Sequence, residues 1–238
     1  MDKKIFKRLG LLLTIVVLAG VGVFVYAANT STFTQSINAG SLSVDIVDGS
    51  YNPVTSPTMD MDAVDFSFSC QTASGTFSSS TEQIYVKNPD AADSGWSITL
   101  AASSPTSIWD SAETDFDFND PDGADSEGAG CVDSDGDAST GDNSDGDSFA
   151  GQMTVDPSSA TLATGGCSSC TTDNITKGSS ASFDEGNTDS ITILSGATES
   201  DDIGDWTLQG VDINQTIPAE QPAADDYSID MVLTVTAN

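Results

Sequence analysis

The chain has 238 residues, enough for one domain of moderate size or two small ones. It carries 37 Asp and Glu against 6 Lys and Arg, and no His. Such a polyanion does not attract nucleic acid or an anionic membrane surface at long range. Without histidine it also lacks the commonest general base and the commonest transition-metal ligand. Cations, basic surfaces and water are the partners that remain.

Four of the six basic residues, Lys3, Lys4, Lys7 and Arg8, precede an uncharged apolar run from Leu9 to Val25. Val25-Tyr26-Ala27 then offers a small-residue cleavage site before Ala28. The order basic, apolar, small predicts a secretory signal peptide over 1–27, with an uncleaved membrane anchor as the alternative. Either way the positive charges stay inside and the body, 28–238, lies outside the cytoplasm. The membrane then matters only through the N-terminal segment.

The body reads as strands. Leu42, Val44 and Ile46 alternate with polar residues, and Val64, Phe66 and Phe68 do the same. Further alternating runs cover 83–87, 96–100, 152–155, 190–194, 206–213 and 227–235, separated by turn clusters such as Asn88-Pro89 and Asp184-Glu-Gly-Asn187. Short period-2 runs bounded by Gly, Pro, Asn and Asp predict about eight antiparallel strands. The expected class is all-β: a single antiparallel β-sandwich, jelly-roll or immunoglobulin-like. Trp96-Ser-Ile98 and Trp206-Thr-Leu208 place a Trp and an aliphatic on one strand face, with the polar residue outward, and read first as core anchors.

Residues 109–149 break the pattern and predict a long acidic insertion between two strands. Within it, Asp133, Asp135, Asp137, Asp142, Asp145 and Asp147 alternate with Gly, Ser, Thr, Ala and Asn, with no Lys or Arg among them. Short carboxylates two apart on a glycine-freed backbone can converge on one hard cation, and six to eight oxygens at about 2.3–2.6 Å is the calcium shell. Asp115, Asp117, Asn119 and Asp122 could add ligands or build a second site. The bland reading is a solvated acidic linker. There is no EF-hand, since the glycine and glutamate of that loop are missing. Cys70, Cys131, Cys167 and Cys170 are an even set, and outside the cytoplasm they predict two disulfides with three connectivities open. Cys167-Ser-Ser-Cys170 has redox-pair spacing but no adjoining helix to lower a thiolate pKa, so it reads as a structural staple. No nucleophile elbow, phosphate loop or zinc signature is present, and no enzyme is expected.

Three resemblances bear on function. The pieces Asp133-Ser-Asp135-Gly-Asp137 and Asp142-Asn-Ser-Asp145-Gly-Asp147 resemble the calcium loops of thrombospondin type 3 repeats. The two Trp-x-aliphatic motifs resemble bacterial WxL-type cell-wall proteins, which implies a wall-binding β domain. Residues 32–44, with Ala39-Gly40-Ser41-Leu42, are similar to the mature start of the camelysin and biofilm-fibre family. That likeness implies a fibre subunit whose N-terminal segment adds to the sheet edge of its neighbour. The combined expectation is a secreted, calcium-stabilised structural protein of the cell surface or extracellular matrix, a fibre or envelope-layer subunit. Its partners would be calcium, further copies of itself or an envelope polymer, and no nucleic acid. The alternative is a peptidoglycan- or glycan-binding module using exposed aromatics such as Trp109 or Tyr51.

Overall fold

A computed structural model describes residues 34–36, 38, 40–89, 94–104, 106–120, 150–201 and 203–238. Residues 1–27, expected to be a signal peptide or membrane anchor, lie outside the described residues. Among those described there are thirteen strands and no helix. The expected all-β antiparallel sandwich is what the chain forms, and Ala39–Asn238 is one compact unit.

Three antiparallel sheets make it up. The first runs β1 (Ser43–Val47), β3 (Gln83–Asn88), β11 (Gly204–Gln209), β7 (Thr161–Thr164). The second runs β13 (Met231–Ala237), β4 (Trp96–Ala102), β10 (Ile191–Gly196), β8 (Ile175–Lys177). The third runs β2 (Gln71–Phe77), β12 (Val211–Ile217), β6 (Gly151–Asp156), β5 (Asn119–Asp120), with β9 (Ala181–Ser182) also on β6.

The first and third sheets share their chains. β2 runs on to β3, β6 to β7, and β11 to β12, so three neighbouring chains cross a common bend. Gly210 turns there with φ +80°, a left-handed conformation that suits glycine, and its N–H donates to the Ser78 carbonyl at 2.7 Å. The Ser78 hydroxyl donates in turn to the Leu208 carbonyl and accepts the Ile84 N–H. The run predicted as one strand over 206–213 is thus two strands with different partners, split because Gly210 carries the bend.

Core residues come from both faces of the sandwich. Trp96 and Ile98 on β4 meet Trp206 and Leu208 on β11, with the indole centroids 5.5 Å apart. The core-anchor reading of the two motifs therefore holds. Thr207, expected outward, is itself buried, because β11 is a central strand and Thr207 sits between Tyr85 and Ala163 of its neighbours.

Two other expectations fail. Val64–Phe68 belongs to no strand. The real strand nearby is β2, whose inward residues Ala73 and Gly75 are too small to register as apolar alternation. The stretch 109–120, expected to open the insertion, is built into the fold. Trp109 bridges Phe116 with rings stacked 5.9 Å apart, and Phe118 packs edge-on against Phe183. Trp109, Phe116 and Phe118 all belong to the core.

Candidate functional site

The metal-ligand candidates divide by position. Asp122, Asp133, Asp135, Asp137, Asp142, Asp145 and Asp147 lie outside the described residues, as does Cys131. Asp115, Asp117 and Asn119 lead to the stem from which the insertion leaves. The Asp115 carboxylate accepts the Ser111 N–H at 2.9 Å. Asp117 is buried, and its carboxylate accepts the N–H groups of Phe118 and Asn119 at 2.6 and 3.1 Å. Asn119 and Asp120 are buried too, and they pair with Gln152 and Gly151. The chain therefore departs after Asp120 and returns at β6 beside its own exit. Gly151 is needed at this return, since a Cβ there would run into the Asp117 carbonyl oxygen. Gln215 ties the same point from β12, donating to that carbonyl at 3.2 Å.

Among the described residues, the one group of three metal-ligating side chains with ligand atoms within 4.8 Å is elsewhere: Cys167, Cys170 and Asp205. Sequence reasoning did not find Asp205, because nothing local joins it to a loop some 35 residues earlier. The cysteines are disulfide-paired with Cα atoms 5.9 Å apart, and no described cysteine is free. Asp205, nearly buried on β11, organises the loop. Its carboxylate accepts the N–H groups of Gly166 and Cys167 at 2.9 and 2.8 Å, and the Tyr85 hydroxyl. Burial pushes the Tyr85 phenol above its ordinary range, and the hydrogen bond and charge of Asp205 push the same way. The Trp206 indole N–H donates to the Thr171 carbonyl at 2.6 Å, fixing the far end of the loop to the core. The arrangement is a staple over the outer face of the first sheet.

Two clefts open among the described residues. One, of about 590 Å³, runs along the seam where β1 of the first sheet lies beside β13 of the second without a ladder between them. Leu100, Met153 and Ile213 from the core line it, with Val44, Met231 and Leu233 on its walls. The other, of about 450 Å³, opens beside β2 and the segment 59–67. The aromatics expected to stand exposed differ. Tyr51 is 40 % exposed, with its ring centroid 5.5 Å from that of Tyr85, whereas Trp109 is only 9 % exposed and cannot serve as a surface platform.

No protein-family model, curated protein or solved structure matches the chain.

Proposed function

We propose that this protein is a secreted structural subunit of a cell-surface layer or extracellular fibre, stabilised by calcium and without enzymatic activity. The seam between β1 and β13 carries this reading. β13 is a seven-residue edge strand, Met-Val-Leu-Thr-Val-Thr-Ala, that pairs with β4 alone among the described residues. It holds no charge, proline or glycine, and Val232 stands 45 % exposed. Edge strands of soluble proteins are normally blunted by such residues, because an open edge recruits further strands. An incoming strand would gain backbone hydrogen bonds along β13 and an apolar cleft for alternate side chains. The N-terminal segment of a neighbouring copy is the donor suggested by the likeness of residues 32–44 to biofilm-fibre proteins.

Calcium enters through the insertion. Its stem is pinned by β5 and β6, and two carboxylates, Asp117 and Asp120, are buried within four residues of it. In this reading Asp133, Asp135, Asp137, Asp142, Asp145 and Asp147 hold the ion, with Asp115, Asp117, Asn119 and Asp122 as further oxygen donors. Binding only to the folded state raises stability by mass action, about 2.7 kcal/mol at a hundredfold excess over Kd. A second reading, glycan binding at the cell envelope, rests on Tyr51 as an exposed ring braced by Tyr85.

The test is a thermal melt with calcium and with chelator, followed by light scattering. The expected result is a rise in Tm with calcium, lost in D133N/D135N/D137N, and growth in scattering, lost in V232K. Unchanged melting would remove calcium from the reading. Scattering indifferent to V232K would remove the edge strand. Retention on insoluble cell-wall glycan that Y51A abolishes would favour the second reading instead.

A further inference from the structure

The segment 59–68 is laid against the open side of β2 by a missing side chain. A Cβ at Gly75 would lie 2.8 Å from the Met61 sulfur and 3.3 Å from the Asp60 carbonyl, so glycine makes room for the segment. Met61 bridges Gly75, and the Asp62 N–H donates to the Ser74 carbonyl at 2.6 Å. Beyond Asp62 the chain leaves the ladder but stays tethered. Gln71 donates to the Asp65 carbonyl at 2.8 Å, and the Glu220 N–H donates to that of Ser67 at 2.8 Å. The stretch is thus held in place, with Val64, Phe66 and Phe68 exposed by 41, 51 and 78 %. These are three of the six large apolar side chains that stand exposed among the described residues, which makes this the densest apolar patch there. The patch adjoins the cleft of about 450 Å³, a volume ordinary for a binding pocket.

Charge selects the occupant. Asp60, Asp62, Asp65 and Asp225 all line the cleft, and no Lys or Arg does. A second copy of this chain is a poor match, because its body carries only Lys87 and Lys177. Lys177 is already held by the carbonyls of Ser158 and Ala160, at 2.5 and 2.7 Å. Phe66 and Phe68 meet edge to face at 86°, which denies a sugar ring the flat platform it stacks on. We propose that the Val64–Phe68 patch and its acidic cleft form a docking groove for a peptide segment of a different protein, one bearing both apolar and basic side chains. Apolar groups of the partner cover Phe66 and Phe68, and its ammonium or guanidinium groups face the four aspartates. The groove shares Met59, Asp60, Trp109 and Tyr227 with the cleft at the β1–β13 seam, whereas Val64 and Phe66 line the groove alone of the two.

The probe is a short dye-labelled peptide of alternating lysine and leucine, titrated into the protein by fluorescence anisotropy. A glutamate–leucine peptide and an alternating lysine–serine peptide serve as controls. F66S/F68S changes no charge, so diffuse attraction to a polyanion survives in it and a built groove does not. The expected result is binding of the lysine–leucine peptide alone, weakened at least about tenfold in F66S/F68S and in D60N/D62N/D65N. Trp109 lines this cleft and the seam cleft, and Trp96 and Trp206 line neither, so the indole emission should shift on binding and lose that shift in W109F and equally in F66S/F68S, which alters the groove alone. Equal binding by F66S/F68S, or equal binding of the lysine–serine peptide, would overturn the proposal. So would a change in oligomeric state in F66S/F68S with peptide affinity intact, which would assign the patch to contacts between copies.

Discussion

Trp206-Thr-Leu208 and Val64-Asp-Phe66-Ser-Phe68 carry the same alternation of apolar and polar residues, yet they end in opposite environments. The first lies in β11, flanked by β3 and β7 and faced by β4, and both its apolar side chains are fully buried. The second lies beyond the last rung on β2, and its side chains stand in water. Alternation decides which side chains share a face, but hydrogen-bonded neighbours and a facing sheet decide whether that face is covered. In an acidic chain an uncovered apolar run beside carboxylates is a place where a partner of opposite charge gains most.

The largest expected effect strikes the covered region. W206A removes a fully buried indole, its contact with Trp96 and its bond to Thr171, and should destabilise the fold by about 3–5 kcal/mol in denaturant unfolding. F66S/F68S, removing two aromatics from the exposed run, should change stability by only about 0.5 kcal/mol. If the two variants proved equally destabilising, the exposed run would have to be part of the core and the contrast would fail.

A smaller loss is expected from C167A/C170A. The loop closed by this disulfide is short, so chain entropy predicts about 2 kcal/mol. Asp205 would still hold the Gly166 and Cys167 N–H groups, and the loop should keep its place. A loss as large as that of W206A would show that the staple, and not the hydrogen bonds of Asp205, fixes the loop.

The smallest effect lies at the turn after β1. The Asp48 carboxylate accepts the N–H groups of Asn52 and Ser50 and the Asn52 side chain, which together hold its pKa below 3.8. A carboxylate lowered in the folded state stabilises it above about pH 4, and that contribution fades as the pH falls through the lowered value. An NMR titration should find Asp48 ionising below an unstructured aspartate. Coincidence of the two would mean that the turn is open in solution.

Much of the fold was legible in the sequence. Alternation located β1, β3, β4, β6, β10 and β13, and the Trp-x-aliphatic spacing picked out both central core anchors, because those side chains face a second sheet. β2 was illegible because its inward positions include Ala73 and Gly75, and the close approach of Met61 demands glycine at the second. Of the candidate site, the sequence named Asp115, Asp117, Asn119 and the cysteines. It could not find Asp205, the seam or the groove, which join residues far apart along the chain.

Composition and period alone thus determined an acidic, all-β chain with buried tryptophans, since net charge and side-chain parity are local properties. Tertiary structure decided the rest: that 109–120 enters the core, that the strand predicted over 206–213 divides at Gly210, and that Phe66 and Phe68 remain in water. Burial is a property of what lies opposite a side chain, and no single segment encodes its own neighbour.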